Sequence, residues 1–182
     1  MQKGSKPRVL SGQECQNLLS CAEKNPRWRR ELLAAVTAAL RVGLTSHELR
    51  GLRLGDIFLG AGQRPHLAIR RGSTRNAGGA RRVILSDESA VAAVRTLVKF
   101  CRARGAKRRG HFVFPCTIAH GATLFGKGWD LCRGRPSWGS AWPSLCRAAG
   151  LPGLRFDDLA HTYLAAAIDG AVDAIEKHFA RG

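Results

Sequence analysis

Three short β-forming runs, 56–59, 66–70 and 81–85, sit between two long stretches of helical patterning, and no other feature of the chain constrains its fold as much. Gly-rich turns at 60–62 and 76–79 separate the runs, so they predict a small antiparallel sheet on an otherwise helical body. The expected fold class is therefore mainly α with a small antiparallel β-sheet (α+β). Ahead of the sheet, Ser11 and Glu14 have the Ser-x-x-Glu form of a capping box and open a helix whose apolar side is Cys15, Leu18, Leu19 and Ala22. Asn25-Pro26 ends it. A second helix, 28–42, places Leu32, Leu33, Val36, Ala39 and Leu40 at helical spacing and stops at Gly43. Ser46 is then expected to cap a short helix carrying Leu49 and Leu52.

Behind the sheet, Ser86-Asp87-Glu88 begins a long helix with Val91, Val94, Leu97, Val98 and Cys101 on one stripe, running out in the basic segment 102–110. Residues 111–115 predict a buried strand or strut, and 116–137 a loop-rich stretch. A helix over 138–149, stopped by Gly150 and Pro152, precedes a helix over 156–168 and a separate short helix over 170–179. The first ten residues are expected to form a flexible lead, and 11–182 a single domain.

At 182 residues and 45% hydrophobic, the chain is long enough to bury a real core. Its 30 Lys and Arg against 13 Asp and Glu give a net charge of +17. A compact domain with that charge attracts polyanions and repels copies of itself. The alternative, an evenly solvated basic surface, fits less well because the cations cluster at 70–82 and 102–109. Neither an apolar run of membrane-spanning length nor an apolar signal core is present, so a soluble cytoplasmic protein without a membrane partner is expected. The six cysteines show no Cys-x-x-Cys pair and no His at metal spacing. They read as reduced, mostly buried thiols, with no metal and no cofactor expected.

Two segments are more specific. Residues 155–163 read Arg-Phe-Asp-Asp-Leu-Ala-His-Thr-Tyr, and 42–57 read Val-Gly-Leu-Thr-Ser-His-Glu-Leu-Arg-Gly-Leu-Arg-Leu-Gly-Asp-Ile. Both resemble motifs of the tyrosine recombinases, the phage-integrase family, in the family's order and on either side of a matching hairpin. In the first box, usually Gly-Leu-Arg-x-x-Glu-Leu-x-x-Leu-x-x-x-Asp-Ile, the scaffold positions Gly43, Leu44, Glu48, Leu49, Leu52 and Asp56 match, but Thr45 stands at the arginine. In the second, usually His-x-x-Arg-His, Asp157 stands at the first histidine and Ala160 at the arginine, while His161 is kept. The resemblance covers almost the whole chain and implies a tyrosine-recombinase catalytic-domain-like fold.

It also implies a chemistry that these residues do not support. In the family a tyrosine attacks a phosphodiester to give a 3′-phosphotyrosine without metal or nucleotide, two arginines and a histidine hold the extra negative charge, and a hairpin lysine protonates the leaving oxygen. Thr45 offers one neutral hydrogen bond in place of a bidentate fork. Asp157 would repel a phosphate, and Ala160 would contribute nothing to one. Arg75, near the lysine position, keeps a charge but is a poor general acid; it is a phosphate contact or an exposed turn arginine. His161 faces the phosphate pocket or is a packing residue. Asp158 is expected to cap its helix. Tyr163, the only tyrosine, sits too early for the family nucleophile, and a packing role is expected for it. The family's nucleophile lies beyond a Leu-Gly-His segment that this chain approaches at 178–182, so a chain lacking that segment is expected.

The resemblance therefore implies a DNA-binding protein of the site-specific recombinase type, concerned with DNA recombination and integration and without an intact catalytic set. Double-stranded DNA is the expected partner, with other recombinase subunits as further candidates. Arg50, Arg53, Arg70, Arg71, Arg75, Arg81 and Arg82 are the expected backbone contacts. The alternatives are an active strand-transfer enzyme completed by another chain, and a protein-interaction relic of an integrase. A mobile-element source, and association with the nucleoid in a bacterium, follow from the resemblance alone.

Overall fold

The computed structural model describes residues 6–26, 31–60, 62–70, 80–118 and 128–179. The expected helix start at 28, the turn at 76–79, Arg71, Arg75 and the tail 180–182 lie outside the described residues.

Helix α2 (Leu32–Val42) is the axis of the molecule, with seven of its eleven residues buried. Four of these are alanines, Ala34, Ala35, Ala38 and Ala39, and their small side chains let neighbours approach from several sides. Packed on it are α1 (Gly12–Lys24), α3 (Ser46–Gly51), α4 (Glu88–Arg102) and α6 (Asp158–Phe179). The expected capping box opens α1: the Glu14 N–H donates to Ser11 Oγ, and the Ser11 N–H to the Glu14 carboxylate at 2.8 Å. Asp87 caps α4 through the Ala90 N–H at 2.8 Å. On the inner stripe of α4, Val94, Leu97 and Cys101 are buried, whereas Val91 and Val98 are only partly so.

The sheet has the expected topology. Strands β1 (Ile57–Phe58), β2 (His66–Ile69) and β3 (Arg81–Ile84) lie in sequence order, antiparallel, with Ile57 opposite Leu67 and Ile69 opposite Arg81. Asp56 belongs to the 3-10 turn Leu54–Asp56 that precedes β1, not to the strand. The strut also forms: Val113 and Phe114 are fully buried, and 109–113 runs beside 52–55 through the bonds Leu54 N–H to His111 O, Gly55 N–H to Arg109 O and Val113 N–H to Leu52 O.

Five expectations are corrected. The stretch 116–137 is not only loop, because β4 (Pro115–Thr117) and β5 (Trp129–Gly134) pair antiparallel across a long connection with a bulge at Pro115/Cys116. Gly134 is needed there, since a Cβ would meet the Arg50 carbonyl at 2.8 Å and the Phe112 ring at 2.9 Å. The two C-terminal helices are one, α6, which runs through Gly170; an interior glycine costs about 1 kcal/mol and does not by itself end a helix. Helix α5 (Ala141–Ala148) begins after Trp138, which leaves the helix for an aromatic cluster. Only Cys101 and Cys146 of the six free cysteines are buried, and Cys132 is exposed. Arg8 to Leu10 do not trail loosely: the Arg8 N–H donates to the Asp158 carboxylate at 3.2 Å, the Leu10 N–H to Thr162 Oγ1 at 3.0 Å, and Leu10 is buried.

A charged network closes the end of the bundle. Glu31, just before α2, accepts from Arg104 after α4 at 3.3 Å and from Arg135 after β5 at 2.8 Å. The Arg104 guanidinium lies between the rings of Phe100 and Trp129, 3.9 and 3.5 Å from their centroids, where cation–π attraction offsets part of its desolvation. Among the described residues, no helix is long and apolar enough to cross a membrane.

Candidate functional site

A cleft of about 630 Å³ opens where the end of α2, the start of α3, β2–β3 and the first turns of α6 meet. Thr45 and, more than a hundred residues on, Asp157, Ala160 and His161 all line it, together with Arg70, Arg81, His47 and Glu48. Val42, Ile69, Val83 and Leu164 supply its apolar surface.

Thr45, Glu48, Arg70, Arg81 and Asp157 each have a local task. Thr45, not Ser46, caps α3: its side chain accepts from the Glu48 N–H, and the Glu48 carboxylate accepts from the Thr45 N–H at 2.8 Å. The box requires an acid three residues on, which Thr45 has in Glu48 and Ser46 lacks in Leu49. Ser46 Oγ instead accepts from the Trp138 indole at 2.9 Å. Arg81, whose strand position turns it inward beside Ile69, forks onto both oxygens of Glu48 at 2.8 and 3.1 Å. Arg70 binds buried Asp56, 2.8 Å from its Nε and 2.7 Å from a terminal nitrogen.

The Asp157 carboxylate reaches out of its own helix and accepts the Ser46 N–H, the first amide of α3, at 2.6 Å. Its neighbour Asp158 does not cap α6 forward. It accepts backward, from the Arg155 N–H at 2.9 Å and from the Arg155 guanidinium at 2.8 Å, as well as from Arg8. Burial works to raise the Asp158 carboxyl, but these donors outweigh it and hold it below its ordinary value. Ala160 is buried under the cleft wall. His161 is exposed at the cleft mouth, which removes the packing alternative for it.

Tyr163 packs. Gly43 ends α2 with φ +70°, and a Cβ there would come within 2.9 Å of Tyr163 Cε1 and closer still to Cδ1. The ring separates the cleft from a second cavity of about 600 Å³ between α1, α2 and α6.

The remaining expected contacts are dispersed. Arg50 turns back onto the Ser46 carbonyl at 3.2 Å and onto the Pro136 carbonyl. The Arg53 guanidinium lies 4.7 Å from the centre of the Phe112 ring. Arg82, on the outer face of the sheet, is exposed, and its partner is a His66 ring nitrogen at 3.0 Å, not a carboxylate. The inward turn of Arg81 was readable in the alternation along β3, where Arg81 shares the face of buried Val83; its partner Glu48, 33 residues away, was not.

The Glu48 pair makes the cleft acid-sensitive. Burial works to raise the Glu48 carboxyl, but the Arg81 guanidinium and the Thr45 N–H outweigh it and hold it below the usual carboxylate range. A carboxyl depressed on folding contributes fully above its unfolded value, about 4.3, and loses that contribution as pH falls through the lower folded value. Urea unfolding of wild type and Glu48→Gln between about pH 5 and pH 3 is expected to show the wild type losing stability more steeply. Equal slopes would mean that the pair contributes nothing.

Neither the family models nor the curated proteins match this sequence. Solved structures do. XerA recombinase superposes with a TM-score of 0.58 at 20% identity, over 92% of this chain and 52% of that one. The Tn1549 transposon integrase in complex with transposon right end DNA gives 0.63 at 15% identity, over 93% and 56%. XerH site-specific recombinase bound to difH substrate gives 0.57 at 16% identity, over 93% and 45%. The chain thus spans about half the length of the solved structures it matches. The helical body, the three-stranded sheet and the cleft between them have the fold of the tyrosine-recombinase catalytic domain.

Proposed function

We propose that this chain is a DNA-binding protein of the site-specific recombinase type that holds duplex DNA by its phosphates and does not break it. The observation that carries this proposal is how charge is arranged in the cleft: among the described residues, both arginines that line it are tied to carboxylates, Arg81 to Glu48 and Arg70 to Asp56, and the Asp157 carboxylate lines it too. Phosphodiester cleavage builds negative charge on the phosphate, and losing one positioned stabiliser of such charge can cost about 3 kcal/mol. Thr45 and Ala160 supply no charge, and Asp157 supplies the wrong one. A tyrosine donated by another chain would not restore the guanidinium groups.

Support for DNA as the partner comes from the net charge of +17 and from the matched structures, of which the XerH and Tn1549 integrase examples are DNA complexes. Arg82 is exposed and, among the described residues, forms no ion pair with a carboxylate, so no such pair competes there with a phosphate. For Arg70 and Arg81 a duplex must compete with Asp56 and Glu48.

Titrating a fluorescent duplex of arbitrary sequence at several salt concentrations tests this. Binding is expected to weaken with salt with a log–log slope of about −3 or steeper, the signature of three or more neutralised phosphates. Arg75→Ala with Arg82→Ala should flatten the slope by about one to two units, and Arg70→Ala by less. No binding at low salt would refute DNA as the partner. A covalent protein–DNA band on denaturing gels would refute the absence of cleavage.

A further inference from the structure

The second basic cluster, 102–109, takes no part in the cleft. Arg104 turns inward to Glu31, whereas Arg102, Lys107 and Arg109 are exposed and surround a recess of about 310 Å³ between the end of α4 and β1. Among the described residues, these three side chains form no ion pair, and no Asp or Glu lines the recess. Its floor is aliphatic: Leu54, Ile57, Leu59 and Val98, each partly buried. Backbone geometry holds the rim in place. The Gly55 N–H donates to the Arg109 carbonyl at 2.8 Å, and any side chain at Gly55 would meet Arg109 Cβ at 2.9 Å.

We propose that this recess is a docking site for an acidic peptide segment of another protein, which seats one aliphatic side chain on the floor and sets its flanking carboxylates against Arg102, Lys107 and Arg109. Uncompensated cations at a rim favour an anionic partner, and arginine favours carboxylate through paired N–H donors. The floor chooses among anions. A duplex backbone presents phosphates and sugars, which gain nothing from covering aliphatic surface, whereas a Leu or Ile side chain gains by leaving water there. The protein's net charge speeds the approach of an acidic segment and disfavours a second copy of this chain as the occupant.

The test uses the full chain and a short fluorescein-labelled peptide with one Leu flanked by Glu on both sides, read by fluorescence anisotropy. The triple variant Arg102→Gln, Lys107→Gln, Arg109→Gln is expected to bind it at least about tenfold more weakly than wild type. A charge-matched control, Lys24→Gln, Arg41→Gln, Arg147→Gln, removes three exposed cations from other elements and should change binding by less than about twofold. Replacing the peptide's Leu by Ser should weaken binding to wild type to a similar degree as the rim variant does. Circular dichroism of both variants establishes that they fold.

Equal losses in the two triple variants would reduce the effect to general surface charge and overturn the proposal, as would no binding of the peptide by wild type. Loss of duplex binding with retained peptide binding in the rim variant would assign the recess to nucleic acid and overturn it too. Duplex titration of the same proteins keeps this outcome separate from that of the DNA-binding proposal.

Discussion

Substituting Ala for Gly43 is expected to destabilise the protein by about 2–5 kcal/mol, which lowers the melting temperature by roughly 6–15 °C for a domain of this size. Two costs combine. The residue has φ +70°, a left-handed conformation that costs a non-glycine residue about 1–2 kcal/mol. The new methyl would also run into the Tyr163 ring, with Cε1 at 2.9 Å, and overpacking of this kind costs about 1–3 kcal/mol. The ring cannot retreat cheaply, because Tyr163 rides on α6 against α2. A double-mutant cycle separates the two costs: Tyr163→Ala should recover the overpacking part and leave the backbone part. A loss no larger than the backbone part alone, about 1–2 kcal/mol in thermal or urea unfolding, would show that the ring does not press on Gly43. The effect reaches the cleft, since Gly43 and Tyr163 both line it and Arg81 donates to the Gly43 carbonyl at 3.4 Å.

Phe114→Ala should cost about 3–5 kcal/mol, the usual range for deleting a fully buried aromatic ring. Phe114 is fully buried and meets Trp138 edge-on, with centroids 5.1 Å apart; Trp138 in turn stacks on Phe156, also at 5.1 Å. Trp138 holds Ser46 Oγ through its indole N–H, and Phe156 immediately precedes Asp157. The strut thus supports both sides of the cleft from below. Besides the loss of stability, seen in urea unfolding, the variant should lose Trp fluorescence anisotropy before global unfolding, because Trp138 and Trp142 both pack on Phe156. Phe114→Leu, which keeps most of the volume, should cost less than half as much. If the two variants lose equal stability, the ring's edge-on contact rather than the buried volume carries the effect.

Local patterns were legible wherever the residues that decide them are close in sequence. Ser11 with Glu14, Asp87 with Ala90, and Gly43 at the end of α2 each act within one turn, and the structure has a helix boundary at each. Strands β2 and β3 also followed from their own residues, because Leu67 and Ile69 in β2, and Val83 with Leu85 in and just after β3, put an apolar, buried residue at every second position. The cap of α3 was misassigned by one residue because Thr45 and Ser46 are both good caps, and the acid three residues ahead decides between them. The β4–β5 pair was missed for the opposite reason. β5 offers too few signals rather than two: it is mostly half-exposed, so it lacks the alternating pattern of a strand packed on one face.

The cleft divides in the same way. The identities of Thr45, Asp157 and Ala160 are a property of the sequence, and residue identity alone sets what a side chain can donate. Folding decided where each remaining charge points. The partners of Arg81 and Arg70, Glu48 and Asp56, lie 33 and 14 residues away, and the Ser46 amide that Asp157 binds lies 111 residues away. Such pairs arise only when helix, sheet and strut pack into one body, because no local rule ties together groups separated by so much chain. The sequence by itself determined the helical body, the small antiparallel sheet, the basic charge and the side chains available at 45, 157 and 160. Among the described residues, only the tertiary structure decided which arginines pair with a carboxylate in the cleft and which do not around the aliphatic recess, since ion pairing depends on distances of a few ångströms that packing alone sets.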